Sequence, residues 1–142
     1  MNFVKFRISG QNIDLERISK TLNIVPDYSY KKGDTNYDIF KQAITYIEDC
    51  WIAGIKIENE NETEEKISEF VSLFYENKSF VQQLSKMHCI TLWITLHPDI
   101  QFNLHFSKKV LDMISELGID MDITCMQLQE FYSGSYLPSS TD

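Results

Sequence analysis

The apolar residues of this chain recur with two periods, and the switching between them restricts the folds open to it. Val4, Phe6 and Ile8 alternate with Lys5 and Arg7, and Ile90, Leu92, Ile94 and Leu96 alternate with Thr91, Trp93 and Thr95. A period of two belongs to a strand with one buried face. Between these runs Ile67, Phe70, Val71 and Phe74 line one side of a helix. Strands apolar on one face and helices apolar on one side bury both surfaces by stacking a helical layer on a sheet.

The remaining elements follow from turn and cap chemistry. Asp14 stands at an N-cap position before Leu15, Ile18 and Leu22, which predicts a helix over about 14–22. Asn23 is suited to a left-handed end, with Ile24 as the apolar contact beyond it. The same grammar recurs where Phe102, Leu104 and Phe106 read as a strand. Ser107 there caps a helix carrying Val110, Leu111, Ile114 and Leu117, and Gly118-Ile119 repeats the roles of Asn23-Ile24. Internal duplication and convergent capping both account for that echo. Residues 26–36 read as a turn-rich loop. Residues 37–47 read as a strand that a turn near Glu48-Asp49 pairs with the run from Trp51 to Glu58, where Trp51, Ala53, Ile55 and Ile57 share a face.

Asn61 with Glu64 resembles a capping box for the helix of the Ile67 stripe. A break near Asn77-Lys78-Ser79 restarts that helix with Phe80, Val81 and Leu84. Ile90 to Leu96 is expected to be the central strand, ended by His97-Pro98-Asp99, and a last strand carries Met121, Ile123 and Cys125 inward. The order strand, helix, strand, strand, helix, strand predicts an α+β, ferredoxin-like two-layer sandwich. Its sheet is largely antiparallel with helices on one face, and a further strand-helix-strand unit is appended. One domain is expected over 1–128, with a frayed tail over 129–142.

At 142 residues a single domain buries roughly 68–70% of its unfolded surface and needs no staple. Cys50, Cys89 and Cys125 form no CxxC pair, so they read as reduced, partly buried structural thiols rather than as a disulfide framework or zinc site. The N-terminal stretch places charges inside its apolar run and reads as a strand rather than a signal peptide, and no apolar run approaches a membrane span. A cytoplasmic protein is expected.

No Gly-rich phosphate loop, nucleophile elbow or zincin motif occurs, and His88, His97 and His105 include no i, i+4 pair for a metal. Neither catalytic residues nor a cofactor are expected. The net charge of −8 opposes phosphate backbones and anionic membranes and favours a basic protein partner. Glu58, Glu60, Glu62, Glu64 and Glu65 concentrate that charge. They also suit a helix N-terminus, where carboxylates complement the dipole.

If the alternating runs turn their apolar sides to the helices, Lys5, Arg7, Thr91, Trp93, Thr95, Asn103, His105, Asp122 and Thr124 occupy the opposite face. Trp93 among hydroxyl, amide and imidazole groups makes a binding surface, unless the 37–47 segment or a tail with Phe131, Tyr132 and Tyr136 folds across it. Base-stacking RNA modules use such a face, but this chain has the wrong charge and lacks their basic-aromatic consensus.

A spaced set of residues runs through the chain: Phe6-Arg7-Ile8-Ser9-Gly10, Asp14-Leu15, Ile18 to Pro26, Lys32-Gly33-Asp34, Trp51 and Leu117 to Ile123. In this it resembles the family called domain of unknown function 4279, departing at Asn23, where a glycine is usual. The resemblance assigns no catalytic residue. It implies a small bacterial cytosolic protein, sometimes suspected of serving as an antidote or accessory protein. Two functions remain in view. One is a non-catalytic protein-interaction module, such as an immunity-type inhibitor of a basic partner. The other is a small-ligand-binding regulatory domain, in which Trp51 or Trp93 with Lys32 and Asp34 closes over a metabolite.

Overall fold

A computed structural model of the chain describes residues 1–99 and 102–126. Strand β1 (Asn2–Gly10) lies at the centre of a five-stranded sheet, with β5 (Asp49–Ile57) and β6 (Cys89–Leu96) antiparallel on either side. Beyond β5 lies the short β2 (Tyr28–Tyr30), and beyond β6 lies β7 (Asp120–Cys125), which runs parallel to it. The order is β2-β5-β1-β6-β7, and β3 (Thr35–Tyr37) and β4 (Ala43–Thr45) form a separate hairpin. The fold is α+β.

Four helices are described: α1 (Leu15–Leu22), α2 (Thr63–Tyr75), α3 (Lys78–Met87) and α4 (Lys108–Leu117). Each contributes buried side chains to the single cluster that holds Val4, Phe6 and Ile8, so all four share one face of the sheet. At its middle the Phe74 ring of α2 stacks on Phe6 with centroids 3.7 Å apart, and Phe70 meets Phe74 edge-on at 5.0 Å. The apolar stripe of α2 is therefore the layer contact that its spacing predicts. No helix among the described residues is long and apolar enough to cross a membrane.

The caps form as their chemistry dictates. Asp14 accepts from the Arg17 N–H at 3.1 Å, and Ser107 accepts from the Val110 N–H at 3.3 Å. Asn23 and Gly118 both end their helices in the left-handed region, at φ 55° and 71°. The two units share these caps but not their strands, because β1 is central while residues 102–107 join no strand among the described residues. Phe102, Leu104 and Phe106 still press against the core, so their alternation reports one-sided burial without a ladder.

Other expectations need correction. The strand beside β5 is 28–30, inside the stretch read as loop, and residues 37–47 fold back on themselves through a turn at 38–42 instead of reaching β5. The capping box does not form: Asn59 caps a short 3₁₀ turn over Glu60–Glu62, and α2 starts without a side-chain cap. β1 rather than β6 is the central strand. Met121 is half-buried, while Ile123 and Cys125 are exposed, because β7 is an edge strand. The thiols divide against expectation, with Cys50 buried and Cys89 and Cys125 exposed.

Candidate functional site

Because all four helices lie on one side, the sheet presents its other face without them. Strand register orders that face into rows. The middle row runs Gly54, Lys5, Trp93, Asp122; on one side lies Lys56, Phe3, Thr95, Thr124, and on the other Ile52, Arg7, Thr91, Asp120. Trp93 is 42% exposed, and its indole N–H donates to the Thr124 hydroxyl at 3.3 Å. That bond orients the ring, and part of its surface stays open on the side away from the helices. Lys5 and Asp122 flank it, so the local charge is mixed.

Beside Lys5 the face is hollowed. A Cβ at Gly54 would stand 2.6 Å from the Val4 carbonyl oxygen, so this position takes no side chain without a backbone shift. The open hollow of about 450 Å³ there is lined by Phe3, Lys5, Asp27, Tyr28, Gly54, Ile55 and Lys56.

At the opposite end the face is covered. Ser9 and Cys50 belong to it by register, yet both are buried. The 31–48 connection closes over this end, with Arg7 bonded to Glu48 at 3.3 Å and Tyr30 stacked on Tyr46 at 3.6 Å. Burial, then the neighbouring Cys50 sulfur, pushes the Tyr30 phenol up to about 12, which keeps it neutral and unsuited to act as a base near neutral pH. The tail residues Phe131, Tyr132 and Tyr136 lie outside the described residues.

The structure brings together only some of the expected binding residues. Thr91 and Trp93 lie on the face with Lys5, Arg7, Thr95, Asp122 and Thr124. Asn103 and His105 do not: their segment is outside the sheet, and the His105 N–H donates to Glu64 on the helical side at 2.6 Å. Trp51 is wholly buried toward the helices, its indole N–H donating to Ser19 at 3.0 Å, so it packs the core instead of closing over a ligand. Lys32 and Asp34 belong to a structural turn. Asp34 accepts from the Lys31 N–H at 2.9 Å, and the Lys32 N–H donates to Asp49 at 2.8 Å.

Asp49 is the residue that sequence reasoning missed, having placed it in a turn. Its carboxylate is 4% exposed and also accepts from the Ile13 N–H at 2.9 Å, with the Lys31 ammonium at 3.3 Å. It ties the β1–α1 loop to the Lys31–Asp34 turn. The Lys32 and Ile13 N–H groups hold its carboxyl below the ordinary range against the opposing effect of burial, with Lys31 adding to the shift. An acidic residue opening an apolar strand was the available signal.

The acidic run sits where β5 leaves the sheet and α2 begins. Glu58 pairs with Lys56 at 3.6 Å, Glu60 with the N-terminal amine at 3.5 Å, and Glu64 takes the His105 N–H. The Glu62 and Glu65 carboxylates have no ion-pair or hydrogen-bond partner among the described residues. Among those residues no three His, Cys, Asp or Glu side chains gather as a metal site would require. No curated protein and no solved structure matches the chain. A family model does match, over residues 1–128, and by that match the chain belongs to the family described as Domain of unknown function (DUF4279).

Proposed function

We propose that this chain is a non-catalytic protein-interaction module, of the immunity type that covers a basic partner, and that Trp93 is its anchor. The observation that carries the reading is Trp93 itself: a half-exposed indole, oriented by Thr124, in the middle row of a helix-free face. Aromatic anchors ringed by polar groups dominate binding energy at such surfaces. Rim charges chiefly set the encounter rate, a role open to Glu58, Glu60, Glu62, Glu64 and Glu65 in a chain of net charge −8. The strand order β2-β5-β1-β6, with α1 and α2 as crossovers, supports the ferredoxin-like reading of the sheet, α4 and β7 being the appended part.

The test is affinity capture from the native cell with wild type, Trp93→Ala and the triple Glu60/Glu62/Glu64→Gln variant, followed by kinetics on the purified partner. Trp93→Ala is expected to keep the fold and weaken binding by about 2 kcal/mol or more. The triple variant is expected to slow association, as does added salt. An acidic partner, or rates indifferent to salt, sinks the proposal.

One observation favours the second reading, a small-ligand regulatory domain. The hollow over Gly54 offers Phe3 and Tyr28 for stacking and Lys5 and Lys56 for an anionic group. A thermal-shift screen of anionic aromatic compounds tests it. A shift lost in the Lys5→Ala, Lys56→Ala double variant supports this reading, and none in wild type removes it.

A further inference from the structure

We propose that the hollow between β2 and the β3–β4 hairpin is a binding site for a guanidinium cation. Its residues lie apart from Trp93, so the proposal goes beyond the anchor reading and does not depend on it. The hollow measures about 420 Å³, within the range of small-ligand sites, and Asp27, Tyr28, Tyr30, Asp34 and Tyr46 line it. Ser29, Thr35 and Asn36 complete the lining, and no lysine or arginine belongs to it. Carboxylates grouped with aromatic rings and without a cation attract positive charge.

The neighbouring cations are engaged elsewhere. The Lys31 ammonium donates to the Ile13 carbonyl and to Asp49, and Arg7 bonds to Glu48. The Asp27 carboxylate has no ion-pair or hydrogen-bond partner among the described residues, and Asp34 uses its Oδ2 alone, for the Lys31 N–H. Asp27 and Tyr28 also border the Gly54 hollow with its Lys5 and Lys56, but Lys56 pairs with Glu58 and neither lysine pairs with Asp27. The two hollows thus sort opposite charges on either side of Tyr28.

The walls are fixed without a ligand. The Asp27 N–H donates to the Ile52 carbonyl at 2.8 Å, which seats the start of β2 on the sheet. The Gly33 N–H donates to the Tyr46 carbonyl at 2.8 Å and the Tyr46 N–H to the Asp34 carbonyl at 2.9 Å, which holds the base of the hairpin. Ring geometry then selects the cation. Tyr46 lies flat on Tyr30 at 3.6 Å, and Tyr28 is 60% exposed beside them. A guanidinium is planar, weakly hydrated and stacks on such rings while its forked N–H donors reach carboxylates, whereas an ammonium is a strongly hydrated point charge. An arginine side chain of a partner protein and a free guanidino compound present the same chemistry.

A nuclear magnetic resonance titration of the isotope-labelled full chain at low ionic strength, with argininamide as probe, tests the proposal. Argininamide is expected to shift signals of residues 27–36 and 46 and to bind at least about ten-fold tighter than lysinamide or citrullinamide, its neutral isostere. Asp27→Asn and Tyr28→Ala, both at exposed positions, are each expected to weaken binding at least about five-fold with an unchanged circular dichroism spectrum. Glu16→Gln, which removes an equal charge from exposed α1, is expected to leave it as it is. A blocked tripeptide with a central arginine separates the sources: tighter binding than argininamide assigns the site to a partner's arginine, and weaker binding to a free guanidino compound. Argininamide that leaves these signals unmoved, lysinamide or citrullinamide that binds equally well, or affinity unchanged by Asp27→Asn or Tyr28→Ala overturns the proposal.

Discussion

Replacing Asp49 with Asn tests whether one buried carboxylate holds two loops of this fold in place. Asp49 accepts from two backbone N–H groups, those of Ile13 and Lys32. An amide has one oxygen, so Asn satisfies one of these donors and turns its own NH₂ toward the other. The cost is a lost charge-assisted bond of roughly 1.5–3 kcal/mol plus an orphaned donor at roughly 1–3 kcal/mol. About 3–5 kcal/mol is expected, a large part of a domain's usual 5–15 kcal/mol. The Lys31 ammonium adds little, since its side chain is half exposed.

Urea unfolding followed by tryptophan emission reads the loss, because Trp51 passes from full burial to water. The midpoint is expected to fall by about 2 M for a slope near 2 kcal/mol/M. The pH dependence has a definite sign. The folded carboxyl titrates below its ordinary value of 3.8, so its contribution is present above that value and fades as pH falls toward the folded pKa, where the unfolded chain has already taken up the proton. The substituted amide does not titrate, so the gap between wild type and Asp49→Asn should narrow below about pH 4. A midpoint shift under about 0.5 M, or a gap constant down to acid pH, refutes the reasoning.

Phe74→Ala removes the ring stacked between Phe6 and the edge of Phe70; a loss of about 3–5 kcal/mol is expected in urea titration, and under about 1 kcal/mol would mean that α2 does not seal the sheet. Thiol labelling should reach Cys89 and Cys125 in the native protein and Cys50 only on unfolding, following their exposure. Native labelling of Cys50 at a rate like the others would show that the 31–48 connection does not cover it.

Local and one-sided properties of this protein were legible in its residue pattern. The α2 stripe and the alternation of β1 and β6 each name a buried face, because side-chain direction follows directly from the backbone period. The Asp14, Ser107, Asn23 and Gly118 caps were legible for the same reason: each satisfies backbone groups within a few residues of itself. That Lys5, Trp93 and Asp122 share the face away from the helices followed from alternation, while their alignment in one row came with the strand register.

Which strand meets which was not legible, since ladder partners are distant in sequence and alternation names a face but not a neighbour. Phe102, Leu104 and Phe106 alternate as well as β6 does, yet join no strand among the described residues and take Asn103 and His105 away from Trp93. Tyr28–Tyr30 reads as turn and is a strand because the β5 edge offers it hydrogen bonds. Trp93 was placed on the polar face by alternation, but Trp51 was left open to a ligand role, and only the packing of the helices over Ile8 and its neighbours shows it wholly buried. The grip of Asp49 on Ile13 and Lys32 spans 36 and 17 residues, a separation that only chain folding closes.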